Sequence, residues 1–186
     1  KEMPSPFLMG AKDWRYEFWV YLIDKLSSQD PWYNGFNPRR AGAIERSSKD
    51  AIRGFVGREG VKFCFIIRNN YAKVTVTIQG DSLAIDRINN YFHQLKEHEP
   101  EIKSKLTRKT DDWTEAPPTK SPKARIPTKI EHPGTDSRDW WDRCIEELRE
   151  VMDEYREIVS PIIETLTDDE TTYYYVIPIK KPNAEI

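Results

Sequence analysis

Residues Gly54–Gln79 read GFVGREGVKFCFIIRNNYAKVTVTIQ, and this stretch decides the fold. Three strand-like runs, Arg53–Arg58, Val61–Arg68 and Ala72–Gln79, are separated by Gly-Arg-Glu-Gly and Arg-Asn-Asn turns. Val61, Phe63, Phe65 and Ile67 alternate with Lys62, Cys64, Ile66 and Arg68. Val74, Val76 and Ile78 alternate with Thr75, Thr77 and Gln79. A period of two places one apolar face of an antiparallel meander on a core. Arginines and lysines crowd the approach to it, so the meander is expected to present a surface to something anionic.

Helical spacing takes over on both sides. Trp14, Phe18, Trp19, Leu22, Ile23 and Leu26 form a stripe behind a capping Asp13. Ile85, Ile88, Tyr91, Phe92 and Leu95 form a second stripe, capped by Asp81 or Ser82, and Pro100 ends or restarts that helix. Glu101–Leu106 is expected to add one short turn. The clearest helix follows Asp136, where Trp141, Cys144, Ile145, Leu148, Val151, Met152, Tyr155, Ile158, Val159 and Ile162 keep the spacing until Pro161 kinks or stops it. Gln29–Pro38 has a turn residue at nearly every step and reads as loop. Arg39–Ile52 is open between a short helix and an extended edge. Short strands are expected at Asp112–Ala116 and Ala124–Glu131, joined by a mobile loop at 117–123, and another at Thr171–Lys180, where Pro178 favours an edge.

The expected organisation is a lead-in at 1–12, a single domain over 13–180 and a tail at 181–186. Its fold class is α+β: a mainly antiparallel sheet, the central meander plus short later strands, packed by three helices including a long C-terminal one. A chain of 186 residues suffices for one large domain with a real core. Six Trp, nine Tyr and seven Phe supply bulky core material. The chain opens on Lys1 rather than methionine, and a domain excised from a larger protein is expected. No apolar run approaches the ~20 residues that span a bilayer, and no signal-like segment opens the chain. Cys64 and Cys144 both sit in apolar patterns, as buried free thiols in a reducing compartment do. Cytoplasmic localisation, with no membrane contact, is the expectation.

The net charge of −2 conceals an uneven distribution. Arg39–Lys73 holds nine basic and three acidic residues, Lys103–Lys129 is also basic, and Asp136–Glu170 is strongly acidic. Either the surface is polarised or the two signs pair within the fold. The basic set Arg39, Arg40, Arg46, Lys49, Arg53 and Arg58 lies close in sequence to Trp32, Tyr33 and Phe36. Cations hold phosphates and planar side chains stack bases, so these nine residues form the candidate nucleic-acid site, for DNA or RNA. The competing reading is arginines lying over a core edge.

No catalytic, metal or cofactor site is expected. A restriction-type nuclease needs an Asp on one strand and Glu-x-Lys on the next to hold Mg²⁺ and position water. Glu101-Ile102-Lys103 supplies the triplet on a helical pattern, which leaves a divergent nuclease as a second alternative. His93, His98 and His132 lack zinc spacing. Gly57-Arg58-Glu59-Gly60 joins strand to strand and lacks the Gly-Lys-Ser/Thr ending of a phosphate loop. The first alternative function is a protein-docking or homodimerisation module. It would use the long helix, whose far face carries Asp142, Glu146, Glu147, Glu150, Asp153, Glu154 and Glu157.

The Phe18-Trp19 helix, Arg58-Glu59-Gly60-Val61, KVTVTIQ, EHEPEIKSKL, DDWTEAP, ARIPTKIE and DWWDRCIEELREVMDEYREIVSPII together resemble the bacterial and archaeal family known as domain of unknown function 4268. The resemblance covers nearly all of Asp13–Leu166. It implies a module placed C-terminal to a restriction-endonuclease-like domain in the same full-length protein, in DNA restriction or defence, and it carries over no catalytic residues. The expected function is therefore a non-catalytic accessory domain associated with nucleic acid.

Overall fold

In the computed structural model, residues 14–36, 51–68, 70–79, 85–116, 123–131 and 138–168 are described. Four strands, β1 (Ala51–Phe55), β2 (Val61–Ile67), β3 (Tyr71–Ile78) and β4 (Ala124–Glu131), form one antiparallel sheet in the order β1-β2-β3-β4. The α-helices are α1 (Trp14–Gln29), α2 (Ile85–Glu97), α3 (Glu99–Lys105), α4 (Trp141–Ile158) and α5 (Ser160–Thr165). Two 3-10 turns, Pro31–Phe36 and Arg138–Trp140, complete the described elements. The α+β class read from the sequence is the class observed, with two short helices beyond the three long ones.

The alternation in the meander does what its period requires. Val61, Phe63, Phe65 and Ile67 from β2, and Ala72, Val74, Val76 and Ile78 from β3, are buried on the same side as the helical stripes. Antiparallel pairing sets Phe63 opposite Val76 and Phe65 opposite Val74. The β1–β2 turn works because Gly57 and Gly60 sit at φ 87° and 78°, a left-handed conformation that side chains resist. Pro127 lies inside β4 without breaking the sheet. Its carbonyl accepts from the Asp111 N–H outside the sheet, so its missing N–H falls on that outer edge and not in the ladder with β3.

The long helix crosses the buried face. Tyr155 of α4 is fully buried, and its hydroxyl meets Thr128 Oγ1 at 2.7 Å and donates to the Ile126 carbonyl at 3.2 Å. Phe18 of α1 packs edge-on against Trp141 at 5.4 Å, which joins α1 to α4. The break before α5 follows from Pro161, which occupies the first turn of a new helix while Val159 separates the two.

Three expectations change. Pro31–Phe36 is a 3-10 helix rather than loop, because Tyr33 and Phe36 turn inward and bury their rings against Phe65, 6.4 and 5.2 Å away. The strand expected at Asp112–Ala116 is a single bridge, Thr114 to Arg125, since that segment meets β4 only at its edge. The strand expected from Arg53 starts at Ala51 and ends at Phe55. The lead-in, the caps at Asp13, Asp81 or Ser82 and Asp136, the 117–122 loop, the Thr171–Lys180 strand and the tail fall outside the described residues.

Two outcomes test this architecture. A Cβ built on Gly54 would lie 2.6–2.8 Å from three ring atoms of Phe36, which the core holds in place. Gly54→Ala is therefore expected to destabilise the domain by about 1–3 kcal/mol in denaturant unfolding, with the transition still cooperative. Asp30, held by the Trp32 N–H and by Arg156, has a lowered pKa, as does Asp142, held by Lys25 and Tyr21. A depressed folded-state pKa adds stability above the ordinary aspartate range that is lost as pH falls through the folded value. At pH 6, Asp30→Asn and Asp142→Asn should each cost up to about 1 kcal/mol, as exposed pairs do, and that deficit should shrink towards pH 3.

Candidate functional site

The helices cover one face of the sheet, and alternation assigns the other face its residues. Three cross-strand rows follow from the register. Lys62, Thr77 and Arg125 share one row; Arg53, Cys64, Thr75 and Pro127 the next; Ala51, Ile66, Lys73 and Lys129 the third. Apart from Lys62 and Lys129, these rows line a hollow of about 400 Å³, which Arg68, Tyr71, Lys123 and residues of the Asp111–Thr114 segment help to enclose. That segment is fastened to the edge of β4 by paired N–H···O bonds between Thr114 and Arg125, at 2.9 and 3.0 Å.

Charge on this face of the sheet is unevenly compensated. Lys73 is paired with Asp111 at 2.8 Å, and Lys129 with Glu131. Arg53, Lys62, Lys123 and Arg125 have no carboxylate or hydrogen-bonding side-chain partner among the described residues. Burial, with repulsion from Arg53, Arg125 and Lys62, holds the Lys123 ammonium below the usual lysine range. Three of these cations, Arg53, Lys123 and Arg125, line the hollow with Lys62 beside Lys123, and such a cluster attracts an anion. Tyr71 lies at the other end, with the Lys129 and Lys73 ammonium groups 5.0 and 5.3 Å from its ring centre.

Cys64 belongs to the floor. Burial pushes its thiol up against the opposing pull of the Thr77 hydroxyl and the nearby cations. Its sulfur lies 3.5 Å from Thr77 Oγ1. Cys144, on the buried side of α4, is pushed up to about 12 by burial. Both thiols are free and buried, so neither is set up as a nucleophile.

The nine residues of the sequence-derived site separate. Arg53 joins the cationic end of the hollow. Arg58 is directed elsewhere: its Nε donates to Tyr91 Oη at 3.1 Å, and its Nη2 lies 3.4 Å from the Asp168 carboxylate, which Arg87 also holds. Trp32, Tyr33 and Phe36 lie on the opposite, helix-covered face. Tyr33 and Phe36 are 1% and 3% exposed, which leaves no ring face for a base. Trp32 is half-buried, with the Arg156 guanidinium 4.6 Å above its ring. Arg39, Arg40, Arg46 and Lys49 lie outside the described residues.

The residues behind the two alternatives are also placed. Glu101 pairs with Lys105 at 2.7 Å and Lys103 with Glu99 at 2.5 Å, all on the outside of α3. Among the described residues no group of three or more His, Cys, Asp or Glu could hold a metal ion. On the acidic side of α4, Asp142 binds Lys25, Glu147 binds Arg108 and Arg143, and Asp153 accepts from Tyr33. Much of that helix face is thus tied to α1, to the segment after α3 and to its own arginines.

Sequence reasoning missed Lys62, Lys123 and Arg125 as site residues. The signal was present in the strand alternation, since a residue facing away from the core on β2 or β4 shares a face with Arg53. It needed the β3–β4 pairing to be read.

A helix-backed antiparallel sheet whose other face carries uncompensated cations defines this α+β domain. The chain belongs to the family described as Domain of unknown function (DUF4268), whose profile matches residues 14–163. No curated protein and no solved structure matches it. No helix among the described residues is long and apolar enough to cross a membrane.

The thiols offer a direct check. At pH 8 neither cysteine should react with Ellman's reagent in the native protein, and both should titrate in guanidinium. Fast native reaction at Cys64 would mean that the floor of the hollow is open to solvent.

Proposed function

We propose that this domain is a non-catalytic accessory module that binds nucleic acid on the open face of its sheet. It would work in the cytoplasm, beside a nuclease domain in a full-length restriction or defence protein. The observation that carries the reading is the gathering of Arg53, Lys62, Lys123 and Arg125 from three strands and a loop, with no acid in ion-pair contact with any of them among the described residues. A fold holds like charges together at a cost in repulsion, and a phosphate backbone is the common anion that removes it. Arg39, Arg40, Arg46 and Lys49, which approach β1 in sequence, would extend the same contact along the strand.

Fluorescence anisotropy with labelled DNA and RNA oligonucleotides across a salt series, without Mg²⁺, tests the reading. Wild type should bind with an affinity that falls steeply with salt. Arg53→Ala, Lys123→Ala and Arg125→Ala combined should weaken binding on every sequence and shallow the log–log salt slope by about 2–3. Lys103→Ala on α3 should change neither. The quadruple Arg39→Ala, Arg40→Ala, Arg46→Ala, Lys49→Ala variant reports the share of the approach segment. Absence of binding by the wild type, or binding indifferent to the three sheet-face substitutions, overturns the proposal.

A further inference from the structure

We propose that Arg58, Arg87 and Tyr91 form a receptor for a phosphate group, which the chain closes with its own Asp168 as a displaceable strap. None of these residues lines the hollow, so the inference stands apart from the sheet-face reading.

Three parts of the fold meet here. Arg58 comes from the turn between β1 and β2, Arg87 and Tyr91 from α2, and Asp168 from the segment after α5. Arg58 Nε and Arg87 Nε both donate to Tyr91 Oη, at 3.1 and 3.2 Å, which engages both of its lone pairs. The hydroxyl keeps one hydrogen, and it is directed at Asp168 Oδ1. Arg87 holds the same carboxylate as a fork, with Nε shared to Oδ1 at 2.7 Å and Nη2 to Oδ2 at 3.1 Å. Arg58 Nη2 lies 3.4 Å from Oδ2. Tyr91 is fully buried, so the core and not the anion sets its hydroxyl in place.

A guanidinium fork accepts a carboxylate or a phosphate, since both present two oxygens to two parallel N–H bonds. Charge favours the phosphate. Two guanidinium groups share one close carboxylate, while Glu59 stands 3.9 Å from Arg87 and is 63% exposed. A phosphate dianion matches that pair more fully than Asp168 does.

The strap is held lightly. Leu166 is anchored in the core, whereas Thr167 and Asp168 after it are exposed. Gln94 exchanges two hydrogen bonds with the Thr167 backbone, at 2.9 and 3.0 Å, and Asn90 donates to the same carbonyl at 3.3 Å. Arg87, Asn90, Tyr91 and Gln94 share one face of α2, so a single helix reads both the strap and the anion. Ion pairs open to water contribute little each, and a competing anion can lift such a segment.

Isothermal titration with inorganic phosphate at neutral pH and low ionic strength tests the receptor, and thermal melts confirm that each variant folds. Asp168→Ala should tighten phosphate binding about tenfold, as for a site that the strap keeps about nine-tenths closed. Gln94→Ala loosens Thr167 without touching a donor of the receptor, and should give a gain of about threefold. A merely structural tie would lower the melting temperature in both variants and give no gain. Glu157→Gln, a charge change at an exposed position of α4, should leave the affinity unchanged. Arg87→Gln added to Asp168→Ala should abolish the gain. Labelled single-stranded DNA, followed by anisotropy in the same variants, separates the sources of the phosphate. A gain with both ligands assigns the receptor to the phosphates of a strand, and a gain with inorganic phosphate alone assigns it to a small phosphate. No gain in either Asp168→Ala or Gln94→Ala, or a gain that survives Arg87→Gln, overturns the receptor and leaves the sheet-face reading untouched.

Discussion

Each strand of this sheet has two faces, and the helices cover one of them. Phe63, Phe65, Val74 and Val76 point into the helical layer, so Lys62, Cys64, Thr75 and Thr77 must point away from it. A slip of one residue in the β2–β3 register would exchange those sets and drive Lys62 into the core, at a cost no other packing could offset. The need to bury one apolar face therefore fixes, with no further design, which residues form the other. Arg53, Lys62 and Arg125 share the open face because Ile52, Phe63 and Ile126 are buried on the opposite one.

The same division separates charge. The acids of α4 lie on the helical side, where Lys25, Arg108, Arg143 and Arg149 take them up. On the open face, among the described residues, acids enter with the Asp111–Thr114 segment and with Glu131 at the end of β4. Of the two outcomes open to the charge pattern of the sequence, the acidic helix largely follows pairing and the sheet face follows polarisation. A net charge of −2 therefore describes neither surface.

Strand alternation made the meander legible because Val-x-Phe-x-Phe-x-Ile has one interpretation, and the three long helices were legible for the same reason at their own period. Pro31–Phe36 was not. Pro, Asn and Gly announce a turn, and nothing local distinguishes an exposed turn from one whose Tyr33 and Phe36 rings cap the core over Gly54. The site was legible in half. Arg53 could be named from its neighbours, but Lys123 and Arg125 reach it only through the β3–β4 pairing, across about 70 residues of intervening chain with two helices in between. Proximity in sequence instead grouped Arg53 with Trp32 and Phe36, which the parity of β1 and β2 places on the other side of the sheet.

That sorting bears on how binding would divide between affinity and selectivity. Contacts to phosphates hold a strand without regard to its sequence, and four clustered cations can provide them. Selectivity would need other groups, and the same face also carries Tyr71 and the carboxylates of the segment bound to β4. The fold supplies the two from different sources. The cations come mainly from the strand faces, fixed by core packing, while the acids come from an edge segment held to the sheet by one bridge and the Asp111–Pro127 bond. Asp111 and Asp112 of that edge segment can therefore vary independently of the core, whereas Trp113 between them and the bridge is part of it. Under the proposed function, substitutions on the strand faces would change how tightly any nucleic-acid strand is held.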